Sequence, residues 1–323
     1  MPDDVSSDAL AQADSLESLK AALEPLAFMA GWNKREPSLW PQPRTRFKPT
    51  HWRWRDAKRG LERAGGLIST DQADRRNLFM VNPIEGNYYA TLRTLVSAYQ
   101  MILPGERARS HRHSPNALRL VLDVGEAVYT VVDGVRIDMK PGDVVLTPGW
   151  CWHGHGNDGE QAGYWVDYLD VPLVHLLEPM FLEYWPSGFQ TPEQTTRDSP
   201  YVFSWASTLA ALDAAKPDPS GRRGVRVELG APALPTTSLH MERLSGGFET
   251  RPFRTSANQI FTVVSGSGQT VVGDQTFAWE RGDVFVVPSW HVFSHAAKSD
   301  AVLFCVSDET TQRKLGFLRE SDA

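Results

Sequence analysis

Through its middle and C-terminal parts the chain alternates apolar and polar residues, the two-residue period of strands with unlike faces. Leu118, Leu120 and Leu122 make one such run and Tyr129-Thr130-Val131-Val132 another, with Asp133-Gly134 as the hairpin turn after it. The pattern predicts strands at 91–103, 118–123, 127–132, 143–147 and 163–169, and a shorter one from Leu78 to Val81. Helical spacing is rarer. Leu16, Leu19, Leu23 and Leu26 predict an amphipathic helix over 8–30. Further helices are predicted at 57–66, at 70–76 with Ser69 or Thr70 as cap and Arg75-Arg76 as its end, and at 172–184. A Trp- and Pro-rich arm runs from Trp32 to Trp54 and carries Arg44, Arg46, Arg53 and Arg55. We read it as packing on a barrel or on a second subunit, its arginines solvated or paired. Residues 186–223 are rich in Pro, Ser, Thr and Gly apart from an apolar patch at 205–212, with Pro217 to Gly221 as the most exposed piece.

The pattern occurs twice. Gly105, five residues, His111-Arg112-His113 reappears as Gly247, five residues, Phe253-Arg254-Thr255. Gly142-Asp143-Val144-Val145-Leu146-Thr147-Pro148 reappears as Gly282-Asp283-Val284-Phe285-Val286-Val287-Pro288. These are the two halves of the cupin spacing, so the expected fold is all-β, a bicupin of two jelly-roll barrels behind an N-terminal helical arm. The expected boundaries are 1–76 for the arm, 77–185 for the first barrel, 186–225 for the linker and 226–323 for the second barrel.

Candidate chemistry sits in the first copy. His111 and His113 share one strand face, with Cα atoms about 6–7 Å apart, and His153, five residues after Pro148, supplies a third imidazole. Three neutral His leave coordination positions open, a catalytic rather than a closed structural arrangement. In the second copy the same positions hold Phe253, Thr255 and Phe293, while His295 matches His155, so that barrel is expected to hold no metal. Arg119 lies six residues after His113, an even number, and so can share the inward face. Its fork suits either a substrate carboxylate or a structural one. His155 can act as acid/base or through an orienting hydrogen bond. Gln100 can contact a bound oxygen or simply pack.

Composition narrows the classes. Hydrophobic residues are 41% and charged residues 22% of 323, and the net charge is −6. A soluble globular protein fits; nucleic acid is an unexpected partner without a basic run, and no apolar stretch reaches the length that spans a membrane. The acidic start lacks a signal pattern, so a cytoplasmic location is expected. Two distant cysteines, Cys151 and Cys305, form no disulfide framework. Cys151 lies two residues from His153, which makes it a candidate ligand, but it reads as a packed neutral thiol.

The sequence resembles the gentisate and salicylate 1,2-dioxygenase family of bicupin ring-cleaving enzymes. The likeness runs through most of the chain: the Trp-rich arm, Arg75-Arg76, Asn82-Pro83, the stretch 91–122 with its HRHxxNALR motif, TPxWxWHxHGN within 139–157, and RPFRTSANQIFTVVSGSG at 251–268. It implies Fe(II) on His111, His113 and His153, Arg119 on the substrate carboxylate, and Gln100, His155 and Arg75 around the pocket. It further implies an aromatic carboxylic acid and O2 as substrates and a homotetramer or dimer. Where the family pattern reads Trp-Ala-Gly-Leu-Gln, this chain has Val96-Ser97-Ala98-Tyr99-Gln100. Val96 would open the pocket and Ala98 would narrow it by a methyl, which leaves the substrate open among gentisate, salicylate and other 5-substituted salicylates. The absence of Glu at the fourth cupin ligand position, where Ala117 and Leu118 stand, suits a dianionic substrate. The rival readings are another cupin enzyme, a decarboxylase or isomerase, and a non-enzymatic bicupin that binds an aromatic acid.

Overall fold

The computed structural model describes residues 5–32, 34, 36–73, 75–230 and 234–323. It divides into two compact units, residues 1–44 and residues 45–323. In the first, the predicted helix over 8–30 is broken into Val5–Ala11 and Leu16–Leu23, followed by a 3-10 turn Glu24–Leu26. Ser15 breaks it: its hydroxyl accepts from the Ser18 amide and Ser18 reciprocates, a local cap that competes with helix continuation.

The second unit contains both barrels, each of two facing sheets. One sheet of the first barrel runs Val202–Phe203, Val144–Thr147, Ala117–Asp123, Gly163–Leu169, Val96–Ile102, Arg76–Phe79. Its partner runs Leu182–Tyr184, Arg107–His113, His153–Asn157, Val128–Val132, Val135–Asp138, Gln194–Thr195. The second barrel repeats the plan with Thr50–Trp52, Val284–Val287, Gln259–Ser265, Ala301–Ser307, Ser238–Leu244, Val225–Glu228 facing Gln275–Glu280, Ser267–Val272, Phe293–Ala297, Phe253–Thr255, Glu320–Asp322. The alternation on strand Ala117–Asp123 now has a meaning on both faces. Leu118, Leu120 and Leu122 join a core shared with Ile260, Val286 and Phe304 of the other barrel, whereas Val121 turns into the first barrel's own interior with Val128 and Trp165.

The barrels exchange their edges. Thr50–Trp52, which precedes the first barrel, pairs with Val284–Val286 of the second, and Val202–Phe203, which precedes the second, pairs with Val144–Val145 of the first. Helices follow suit. Trp54–Gly65 starts where the Trp54 amide donates to Asp283 at 2.8 Å, and Trp205–Ala214 starts where the Trp205 amide donates to Asp143 at 3.0 Å. Each carboxylate thus caps a helix from the opposite half of the chain. Each Trp ring lies on the glycine before that Asp: a Cβ at Gly142 would sit 2.7 Å from Trp205, and one at Gly282 2.5 Å from Trp54.

Several elements differ from expectation. The helix predicted over 57–66 begins three residues earlier because Asp283 caps it. The predicted 70–76 helix stops at Ala73; Asp74 lies outside the described residues, and Arg76 opens a strand. A bidentate pair with Glu106, at 2.6 and 2.5 Å, holds Arg76 there in place of a helix-end role. The predicted 172–184 helix ends at Leu177, where Glu178 turns left-handed ahead of Pro179, and Leu182–Tyr184 becomes an edge strand. The patch at 205–212 lies in the helix Trp205–Ala214.

The tight approach at Gly142 makes a prediction. Gly142→Ala places a Cβ against Trp205 at a φ of +85°. It should destabilise the protein by about 2–4 kcal/mol, from the left-handed backbone penalty and overpacking together, measured by urea unfolding.

Candidate metal centre

Strand Arg107–His113 turns His111 and His113 to one side, and His153 at the start of strand His153–Asn157 pairs directly with His111. The ring centroids lie 4.4 Å apart for His111 and His153, 4.8 Å for His113 and His153, and 5.4 Å for His111 and His113. One ligand atom of each falls within 4.8 Å of the others. The second nitrogen of each ring is occupied. Nδ1 of His111 is 3.0 Å from the Arg109 carbonyl, Nδ1 of His113 is 2.8 Å from that of Pro115, and Nδ1 of His153 is 3.0 Å from that of Cys151. A carbonyl only accepts, so every Nδ1 carries the hydrogen and every Nε2 keeps its lone pair. Nε2 of His153 is buried with no partner among the described residues. Burial, then Arg75, lowers His111 to about 3; burial also lowers His113, and burial together with the other two rings holds His153 well below its usual range. All three are therefore neutral, the state in which imidazole ligates a metal. This donor set fits a divalent ion with open positions.

Arg75 donates from Nη2 to His111 Nε2 at 3.3 Å, and among the described residues it forms no ion pair. It lines a cavity of about 290 Å3 beside His111 and His113. Leu169, Val171, Met180 and Leu182 give that cavity an apolar wall. Its remaining polar groups include Arg109, Tyr184 and His175, whose Nδ1 is 2.7 Å from the Tyr89 hydroxyl.

The other candidates lie inside the barrel and are not among the cavity-lining residues. Arg119 is buried and paired with Asp167 at 3.3 Å; it also contacts Thr130 and donates to Nδ1 of His155 at 2.9 Å. That donation fixes the hydrogen of His155 on Nε2, which is buried and unpartnered among the described residues. Burial, then Arg119, lowers His155 far below its usual range, so its ring is neutral. Val96, Ala98 and Gln100 are buried on strand Val96–Ile102, where Ala98 pairs with Asp167 and Gln100 with Trp165. Cys151 is a half-buried free thiol pushed up to about 12 by burial and Asp133.

Asp167, Thr130, Tyr184 and His175 were missed from sequence. Asp167 had a signal: it is the one carboxylate in the buried run Gly163 to Leu169. Tyr184 and His175 had none, because both depend on where the 172–184 segment breaks.

The second barrel shows what replaces the site. Phe253 pairs with Phe293, as His111 pairs with His153, and their rings are 4.5 Å apart. Phe261 and Cys305 stand across from each other, as Arg119 and Asp167 do. His295 keeps its Nδ1 2.8 Å from Thr270, the counterpart of Thr130 beside His155.

Two paired jelly rolls with a three-His cluster in one of them define a bicupin, and the cupin domain family matches residues 98–171 and 240–307. The chain is 36% identical to gentisate 1,2 dioxygenase 1 of Aquipseudomonas alcaligenes, over 90% of this chain and 91% of that one. It is also 36% identical to 5-aminosalicylate 1,2-dioxygenase of Comamonas sp, over 86% and 83% respectively. The structure superposes on salicylate 1,2-dioxygenase from Pseudaminobacter salicylatoxidans with a TM-score of 0.85 at 28% identity, covering 96% and 97% of the two chains. The chain belongs to the gentisate 1,2-dioxygenase family of bicupins and is a ring-cleaving dioxygenase. Among the described residues no helix is long and apolar enough to cross a membrane.

Buried neutral imidazoles make stability depend on pH. His240 in the second barrel, held at about 2 by burial and then by Arg226, takes up a proton only on unfolding. A folded value below the unfolded 6.5 means that its contribution is complete above pH 6.5 and falls as the pH drops toward 2. His240→Gln should remove one proton from the slope of unfolding free energy between pH 6 and pH 4, about 1.4 kcal/mol per pH unit, seen by denaturant titration at several pH values.

Proposed function

We propose that the protein is an Fe(II) enzyme that opens a monocyclic salicylate-type acid, gentisate or another 5-substituted salicylate, between C1 and C2 with O2. The observation that carries this reading is the shared tautomer of His111, His113 and His153, three Nε2 lone pairs gathered beside a cavity that also holds Arg75. His111, His113 and His153 would hold the iron, which would supply a Lewis-acidic, redox-active site for an aromatic acid and O2. Three neutral ligands leave the ion its full +2 charge, which favours a dianion.

The chain's own residues do the rest. Arg75 offers a planar fork to the substrate carboxylate. It hydrogen-bonds the same His111 lone pair that an ion would take, so a bound ion would leave that fork to the substrate. Leu169, Val171, Met180 and Leu182 bury the ring face and exclude water. Arg119, anchored by Asp167, sets the tautomer of His155 so that its Nε2 hydrogen is available to a substrate oxygen. Val96 and Ala98 shape the strand beneath Gln100 and bear on which ring substituent is accepted. Both atoms of O2 end in the ring-opened acid, so the stoichiometry is one O2 per substrate. A cytoplasmic homotetramer or dimer agrees with this reading.

The test is anaerobic Fe(II) loading followed by oxygen uptake with gentisate, salicylate and 5-amino-, 5-nitro- and 5-chlorosalicylate. One O2 per ring with loss of aromatic absorbance is expected for at least one of them; bound iron with no uptake for any overturns the reading. His113→Ala should lose both iron and turnover while circular dichroism reports an intact barrel. Arg75→Ala should raise KM about 10- to 100-fold, the 1.5–3 kcal/mol of a hydrogen bond to a charged group, with a smaller change in kcat.

A further inference from the structure

The second barrel has Phe253, Thr255 and Phe293 where the first has its three histidines, yet it reaches that cluster through a short polar bridge. Asn116, three residues after His113, donates its backbone N–H to Asp170 Oδ1 at 2.7 Å and its side-chain amide to Asp170 Oδ2 at 2.9 Å. Thr236, which leads into the second barrel, donates its hydroxyl to that same Oδ2 at 2.5 Å and lies 3.0 Å from the Asn116 amide nitrogen. The Asn116 side-chain oxygen accepts from the Gly149 amide at 3.0 Å. Asn116 and Asp170 are both buried.

This bridge sits where the two ligand-bearing segments meet. Gly149 is four residues before His153 and so close to the chain after His113 that a Cβ would lie 2.6 Å from the Ser114 carbonyl. The next amide, of Trp150, donates to the His113 carbonyl at 2.8 Å. Pro115, adjacent to Asn116, provides the carbonyl that fixes the His113 tautomer. Asp170 in turn leads into helix Val171–Leu177, whose Val171 lines the cavity. One side chain therefore ties the His113 segment, the turn before His153 and the cavity helix together.

We propose that Asn116, Asp170 and Thr236 are positioning residues of the metal centre, set from the barrel that lost its own ligands. The proposal rests on the metal reading above. Removing the Thr236 hydroxyl takes a donor from Oδ2; the Asn116 amide then re-aims to satisfy the buried carboxylate, and its oxygen carries Gly149 with it. Groups that orient ligating imidazoles change metal affinity about 10- to 100-fold when lost.

The fold contains its own control. In the second barrel Asn258 donates to Asp308 at 2.8 Å through both its backbone and its side chain, accepts from the Ser289 amide at 3.2 Å, and Thr94 from the first barrel donates to Asp308 at 2.6 Å. That bridge serves Thr255 and Phe293 instead of ligands. The experiment compares Thr236→Val, Thr94→Val and Thr236→Ser in the full chain. It reads the Co(II) dissociation constant, the Co(II) d–d spectrum and the melting temperature of the metal-free protein. Thr236 is only half-buried, so the isosteric change leaves the fold in place. Thr236→Val should weaken Co(II) binding about 10- to 100-fold and alter the spectrum, Thr236→Ser should restore both, and Thr94→Val should lower the melting temperature similarly with Co(II) affinity held within about twofold. A Thr236→Val protein with wild-type affinity and spectrum, or a Thr94→Val protein that loses as much affinity, overturns the proposal. Wild-type protein that takes up no Co(II) overturns the metal reading itself.

Discussion

Asp283 anchors the arrangement on which everything else depends. Its carboxylate accepts the Trp54 amide and lies 2.9 Å from Nε2 of His51, so a segment from the start of the chain is fixed to a turn more than two hundred residues later. Asp143 does the same for Trp205. Each half thereby lends the other an edge strand and a covering helix, and neither barrel is complete without residues from outside its own repeat. A shared apolar core then seals the two barrels face to face, through Tyr99, Leu120 and Tyr168 on one side and Met241, Ile260 and Phe304 on the other. The site set on this frame has three rings held in one tautomer.

Much of this was legible in residue order, and the boundary of legibility has a physical basis. Strand 163–169 and the convergence of His111, His113 and His153 follow from a period of two and a short return turn, both local facts. The replacement of the ligand pair by Phe253 and Phe293 follows from laying one copy of the repeat on the other. The start of helix Trp54–Gly65 does not, because Arg53 offers no side-chain cap and the capping carboxylate comes from Asp283. The break after Leu177 is also a tertiary outcome: strand Arg107–His113 has an open edge, and Leu182–Tyr184 gains more by pairing there than by continuing a helix past Pro179. That pairing brings Tyr184 and Leu182 to the cavity, so the error in secondary structure was also the reason those wall residues were missed.

Duplication within one chain separates what a cupin barrel needs from what the chemistry needs. Some features are present in both copies. Arg112 stacks on Trp150 at 4.4 Å and Arg254 on Trp290 at 5.2 Å, both tryptophans adopt positive φ, and both donate their amides to the residue at the third position of the repeated triplet, His113 or Thr255. The Thr130–His155 and Thr270–His295 contacts are equally common to both. These belong to the barrel, and a histidine held by threonine is by itself no sign of catalysis.

What differs is then informative. The first barrel has His111, His113, His153, Arg119 and Asp167 where the second has Phe253, Thr255, Phe293, Phe261 and Cys305. Every polar group in the first set has an apolar or weakly polar counterpart, and the phenylalanines fill the interior that the ionisable side chains occupy on the other side. A buried Arg–Asp pair is costly to desolvate and is often no more stabilising than well-packed hydrophobic residues. The second barrel has such a replacement, with Phe261 and Cys305 paired across the sheet and packed in its apolar core. Stability therefore does not account for Arg119 and Asp167 in the first barrel. What the pair adds is a charged donor, Arg119, on Nδ1 of His155 beside the three-imidazole cluster; His295, whose Nδ1 meets Thr270 instead, has the same buried Nε2 without a partner among the described residues.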